Sequence, residues 1–196
     1  MSPAEVIFTS GRGYQNSPAF LEMQLSHCRT NSVRPEIEVF SRTILQQTLG
    51  SFKARLSECG TPLLFMLVAG VDQLRRTEDG RLEDDSLIPT NQRKEIELLL
   101  RAGTSTYINK AVERTVAELE PIVQEIRQKL PQAKISALLP GPMQQLLARV
   151  AVGLWLDGCM WASKMDYSCL ICWLPAAFGK DVLQNKYATF AKNFKL

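Results

Sequence analysis

Apolar positions along the chain fall into runs and periods that predict helices over most of its length. The densest run is Leu63-Leu64-Phe65-Met66-Leu67-Val68, with Val71 just beyond it. Thr61 is an N-cap residue type, and Pro62 suits the first helical position, where a missing N–H costs nothing. The run leaves no polar face, so it predicts a helix from Thr61 to Arg76 that other helices must wrap. Gln73, Arg75 and Arg76 are expected to carry its end into solvent, with cations at the negative pole of the helix dipole. Three amphipathic helices are expected ahead of it. Ser17-Pro18 opens the first, with Phe20, Leu21, Leu25 and Cys28 on one face. Pro35 opens the second, with Ile37, Phe40, Ile44, Leu45 and Leu49 inward and Gly50 at its end. Ser51 to Cys59 forms the third, turning Phe52 and Leu56 inward.

From Glu78 to Pro89 the chain carries five acids against one arginine and has little to bury, which reads as a solvated linker. Beyond it, Thr90 or Asn91 caps a helix through Ile96, Leu99 and Leu100 to Gly103. Thr104 caps a longer one with Tyr107, Ile108, Ala111, Val112, Val116 and Leu119 inside. Pro121 predicts a bend or a new helix start. After the break at Leu139-Pro140-Gly141-Pro142, Met143 to Lys164 is apolar nearly all round and rich in small residues, as a second buried helix would be. A basic, amphipathic tail with Tyr187, Phe190 and Phe194 closes the chain. No alternating β pattern stands out. The expected fold is all-α, two helical bundles in series: an N-terminal bundle over 1–77, an acidic linker over 78–90, and a C-terminal bundle with the tail over 91–196.

Charge adds a direction to this picture. The net charge of +3 is uneven: residues 1–98 hold eleven bases and thirteen acids, residues 99–196 twelve and seven. A basic second half favours an anionic partner, a membrane surface or nucleic acid. Arg75, Arg76, Arg93, Lys94, Arg101, Lys110 and Arg114 are the candidates for one cationic surface, with Lys186, Lys192 and Lys195 on the tail. The competing reading is a solvated face with pairs such as Glu97 and Arg101, four apart.

The chemistry of catalysis is hard to find. Five cysteines without a secretory leader predict reduced thiols. Cys169-Leu170-Ile171-Cys172 has the spacing of a metal knuckle but lacks partners, since the single histidine, His27, lies far upstream beside Cys28. Neither a nucleophile–base pair nor a phosphate loop is present. No enzymatic activity, metal, cofactor or small-molecule substrate is expected.

The order of features resembles the matrix proteins of orthomyxoviruses, the influenza group. Thr61-Pro62-Leu63-Leu64-Phe65-Met66-Leu67 with Gln73-Leu74-Arg75-Arg76 is similar to their apolar helix and its arginine end, Glu78 to Pro89 to their linker, and Gly158-Cys159-Met160 to part of a later small-residue helix. The resemblance implies a structural protein that polymerises under a virion envelope. It would bind anionic membrane peripherally and contact viral ribonucleoprotein or RNA, in host cytoplasm, at its membranes and in the nucleus. The alternative is a helical adaptor or RNA-binding accessory protein acting on a host factor.

Overall fold

The computed structural model describes residues 1–162 and 169–173. The run expected to be a helix is a β-strand, and the molecule is built around it. Strand β4 (Leu64–Val68) lies between β3 (Glu36–Val39) and β7 (Lys134–Leu138), parallel to both. Beyond β7 the sheet continues with β8 (Gly158–Ala162), parallel, and β9 (Cys169–Trp173), antiparallel. Successive strand residues point to opposite faces, and Phe65, Met66, Leu67 and Val68 are all buried, so both faces of β4 are covered. That explains the continuous apolar run. Periodicity cannot separate such a strand from a buried helix of the same length.

Helices return the chain between the parallel strands. After α1 (Pro18–Thr30), α2 (Arg42–Leu49) and α3 (Lys53–Ser57) lie between β3 and β4. The long connection from β4 to β7 includes α4 (Thr90–Ala102) and α5 (Ser105–Lys129). Between β7 and β8 come a 3-10 turn, Gly141–Leu146, and α6 (Leu147–Gly153). A second sheet is antiparallel, in the order β2 (Gly13–Gln15), β1 (Glu5–Phe8), β5 (Gln73–Arg76), β6 (Leu82–Asp84). One hydrophobic core joins Val6 of β1 to the parallel strands and to Ile44, Ile96, Leu119, Ile126 and Leu147 of the helices.

The all-α expectation, two bundles joined by an acidic linker, is therefore overturned. Where helix signals were complete they held: Ser17 caps α1, Gly103 ends α4 at φ +70°, and Thr104 caps α5. Pro121 neither ends nor restarts α5. The Pro35 helix dissolves into β3, whose Glu36-Ile37-Glu38-Val39 alternates partly exposed and buried positions as an edge strand does, followed by α2. The outer edge of β3 is covered by the chain's first residues. The Glu38 amide donates to the Met1 carbonyl at 2.9 Å, and the Ser2 hydroxyl to the Glu38 carbonyl at 2.9 Å. Thr61-Pro62, read as a helix start, is a cis peptide leading into β4. The acidic stretch contains β6 and the buried pair Leu87 and Ile88. The described part of the Met143 to Lys164 segment, up to Ala162, breaks into the 3-10 turn, α6 and β8; the tail lies outside the described residues.

The burial of β4 sets a measurable contrast. Leu67→Ala, at a fully buried position, is expected to cost roughly 2–5 kcal/mol in urea denaturation. Leu98→Ala, on the exposed face of α4, should stay within about 0.5 kcal/mol of the parent. Equal effects would show that the Leu64–Val68 segment is not the centre of the core.

Candidate functional site

In sheets of this parallel kind, ligands bind outside the carboxyl ends of the strands, where loops gather over a rigid base. The carboxyl ends of β3, β4 and β7 bring together Ser41, the turn Gly70-Val71-Asp72-Gln73, and Pro140-Gly141. Gly70 is required in its turn for two reasons: its φ is +88°, and a Cβ there would lie 3.1 Å from the Met143 sulfur.

Two polar clusters flank this turn. In the first, Asp72 accepts hydrogen bonds from Arg93 Nε at 2.8 Å, from a terminal Arg93 nitrogen at 2.7 Å and from the Thr90 hydroxyl at 3.1 Å. The other Arg93 nitrogen reaches Glu97 one turn along α4. Hydrogen bonding to Asp72, which outweighs burial, raises Arg93 above an ordinary arginine. All three nitrogens of its fork are thus turned to the protein's own carboxylates.

The second cluster closes the amino end of α2, at the carboxyl end of β3. The Arg42 amide donates to the Asp85 carbonyl at 3.0 Å, the Thr43 amide to Asp85 Oδ2 at 3.1 Å and the Ile44 amide to the Ser41 hydroxyl at 3.2 Å. Donors that a helix leaves open at its start are here satisfied from within. Ser86 bridges to Ser41, and its hydroxyl accepts from the Gln73 amide at 2.8 Å. Asp84 accepts from the amides of Ser86 at 3.0 Å and Thr90 at 2.6 Å. Burial pushes Asp84 up, but the hydrogen bonds from Ser86 and Thr90 together outweigh it and leave the carboxyl below its ordinary value.

A separate cavity of about 480 Å³ lies at the amino end of β3, lined by Phe20, Met23, His27, Cys28, Pro35 and Glu36 among others. Burial, then the neighbouring Glu38, pushes Glu36 up. The cavity brings His27 and Cys28 to one wall, and among the described residues the His27 ring bonds to Asn31, the residue that caps α1.

The cations proposed for one surface are distributed among ion pairs and solvent. Arg75 pairs with Glu83 across β5 and β6 at 2.9 Å, and Arg76 donates to the Gly80 carbonyl at 3.5 Å. Arg93 turns inward as described, taking Glu97 from the expected partner Arg101. Arg114 of α5 pairs with Glu95 of α4, and Lys110 sits 5.8 Å from the Tyr107 ring centre. Lys94 and Arg101 are exposed on α4. Lys186, Lys192 and Lys195 lie outside the described residues, and Cys169 and Cys172 fall on β9. Among the described residues, no three His, Cys, Asp or Glu side chains are grouped to hold a metal, and no helix is long and apolar enough to cross a membrane.

Comparison with known proteins decides the wider reading. No family model and no curated protein matches the sequence. The chain is similar to ObcA. Solved structures of ObcA with oxaloacetate, of the apo protein, and of a ternary complex with a C4-CoA adduct and oxalate each match at 48% identity, with a TM-score of 0.79. The match covers 81% of this chain and about a third of ObcA, 33% in the two complexes and 32% in the apo protein.

This likeness overturns the resemblance to orthomyxovirus matrix proteins, including the salmon-infecting member that the feature order resembles most. With it fall the virion, host-membrane and nuclear locations, and the partners expected there: anionic membrane, ribonucleoprotein or RNA, and a polymer of the chain itself. The expectations of no enzyme and no small-molecule substrate fall too, because ObcA binds oxaloacetate and a CoA adduct. The resemblance rested on a helix from Thr61 to Arg76, and that segment holds the strands β4 and β5 instead.

Little in the residue pattern points to the carboxyl-end cluster. Asp72 and Gln73 follow the apolar run directly, but within a helix they looked like its solvent end, whereas Gln73 is 1% exposed.

Two measurements check these clusters. Arg93→Met is expected to cost about 3 kcal/mol, because it leaves Asp72 partly buried without its cation. Adding Asp72→Asn should cost less than the two single changes summed; strict additivity would mean the pair is not coupled. Asp84 titrates lower in the folded chain than its ordinary 3.8. Its contribution is therefore complete above that value and is lost as pH falls through the lower, folded one. Asp84→Asn should lower stability at pH 7 and flatten the fall below about pH 4; an unchanged acid limb in pH-dependent urea melts would contradict this.

Proposed function

We propose that this chain acts on a short 2-oxo dicarboxylate of the oxaloacetate type together with a CoA thioester, and that the dicarboxylate binds at the carboxyl ends of β3, β4 and β7. The observation that carries the reading is the 48% identity to ObcA over 81% of the chain. A TM-score of 0.79 at that identity supports carrying the reading to the strands of this chain. The carboxyl-end turn supports it. Gly70 lets the turn pass close to the Met143 side chain, and Asp72, Arg93, Thr90, Asp84 and Asp85 hold the surrounding loops by paired hydrogen bonds. Since the chain spans a third of ObcA, the proposal assigns it the part of the site built on these strands.

Isothermal titration with oxaloacetate, oxalate and a short acyl-CoA tests the reading. Saturable binding of oxaloacetate is expected, with succinate, which lacks the 2-oxo group, binding more weakly. Ligand at a hundredfold above its Kd should add about 2.7 kcal/mol of stability. Absence of heat and of thermal shift with all three ligands would overturn it.

A further inference from the structure

Gln73 is anomalous among the polar residues at the carboxyl ends. Its backbone is fully paired: the amide donates to the Ser86 hydroxyl, and the carbonyl accepts from the Asp85 amide at 2.8 Å and the Ser86 hydroxyl at 3.3 Å. Its side chain is not. Oε1 and Nε2 are both buried and lack a hydrogen-bond partner, the one such case among the described residues. Ser41, Asp85, Ser86, Thr115 and Ser136, also buried, all have partners. A buried amide without a partner destabilises a fold, and an apolar side chain of similar length would remove that cost. Residues that break such a rule gather at functional sites.

Its position gives the anomaly meaning. Gln73 opens β5 directly after the turn from β4, pairs with Phe8 across the sheet, and lies between the Asp72–Arg93–Thr90 cluster and the Ser41–Asp85–Ser86 cluster. Every charged group in those two clusters is engaged, and the amino end of α2 is closed by Asp85. A ligand carboxylate or carbonyl arriving there meets neutral donors, and the Gln73 amide has two N–H bonds and one carbonyl to offer.

We propose that Gln73 is a binding residue for the dicarboxylate, its Nε2 donating to a carboxylate or 2-oxo oxygen, and that the amide left unpaired in the free chain is satisfied by the ligand. This rests on the functional reading above. Because both atoms are closed to solvent, binding displaces the β5–β6 hairpin locally, so association is slower than the usual range of about 10⁵–10⁷ M⁻¹s⁻¹.

Gln73→Met keeps the length and removes both polar atoms. Oxaloacetate titration and thermal melting of parent and variant test the proposal together. The expected result is a Kd raised at least about tenfold, in a variant that melts at the same temperature or roughly 2–4 °C higher. Loss of binding without loss of stability is what a purely structural glutamine cannot give. A variant that binds oxaloacetate as the parent does overturns the assignment and leaves the functional reading intact, whereas a parent that binds none overturns the reading itself. Should Gln73→Met fail to fold, Gln73→Asn, which keeps the amide but withdraws it by one methylene, serves in its place: weaker binding supports the contact, unchanged binding overturns it.

Discussion

A parallel strand in the interior can be satisfied only if neighbours on both sides take its backbone groups and layers on both faces take its side chains. Leu64–Val68 imposes that condition on everything around it. β3 and β7 pair with it in register from Leu64 to Leu67 and from Leu64 to Val68 respectively. Parallel neighbours cannot be joined by tight turns, so the chain between them must leave and return, and α2, α3, α4 and α5 are those returns. Their buried residues, Ile44, Leu56, Ile96, Leu119 and Ile126, join the strand's side chains in one core. Ser136 shows how little freedom is left, for its hydroxyl is fully buried and donates to the Phe65 carbonyl at 3.0 Å.

Helices with complete end signals were legible, because a cap and a periodic face are local properties. Ser17 before Pro18, Thr104 before Ser105, and Gly103 in the left-handed region each gave the boundary from two or three residues. The parallel sheet was illegible for the opposite reason. Leu64 to Val68 is apolar at every position since both faces are covered, and that cover includes residues as distant along the chain as Leu147. In Ile135-Ser136-Ala137 the one polar residue is buried, so it hides the strand as well. Glu36-Ile37-Glu38-Val39 did carry an alternating signal, which the proline before it obscured. Helices read with the right spacing, as α1, α4 and α5 were, do not constrain a fold if the segment they wrap is misassigned.

The charged residues teach a related lesson. Counted along the sequence, Arg75, Arg93 and Arg114 looked like one surface; in three dimensions each meets an acid from another element, Glu83, Asp72 and Glu95. Exposed pairs of this kind add little stability, but Asp72 and Arg93, both mostly buried, fix the turn after β4 against the first turn of α4. Their effect is to make the loop at the carboxyl end rigid rather than attractive to anions. Legibility of the candidate site was correspondingly poor, as its parts, Ser41, Asp72, Gln73, Asp85 and Ser86, come from segments read as a helix interior, a helix end and a linker.

Asp85 has an implication of its own. A helix start at the carboxyl end of a parallel strand is the customary berth for phosphate, offering open amides and the positive pole of a dipole. In α2 that berth is held by a carboxylate of the same chain, which takes the Thr43 amide while its carbonyl takes that of Arg42. Asp85 thus takes, from within the chain, the position at this helix start that an external anion would otherwise take. With those two amides taken, the start of α2 has fewer open donors to turn outward than a helix start of this kind ordinarily has.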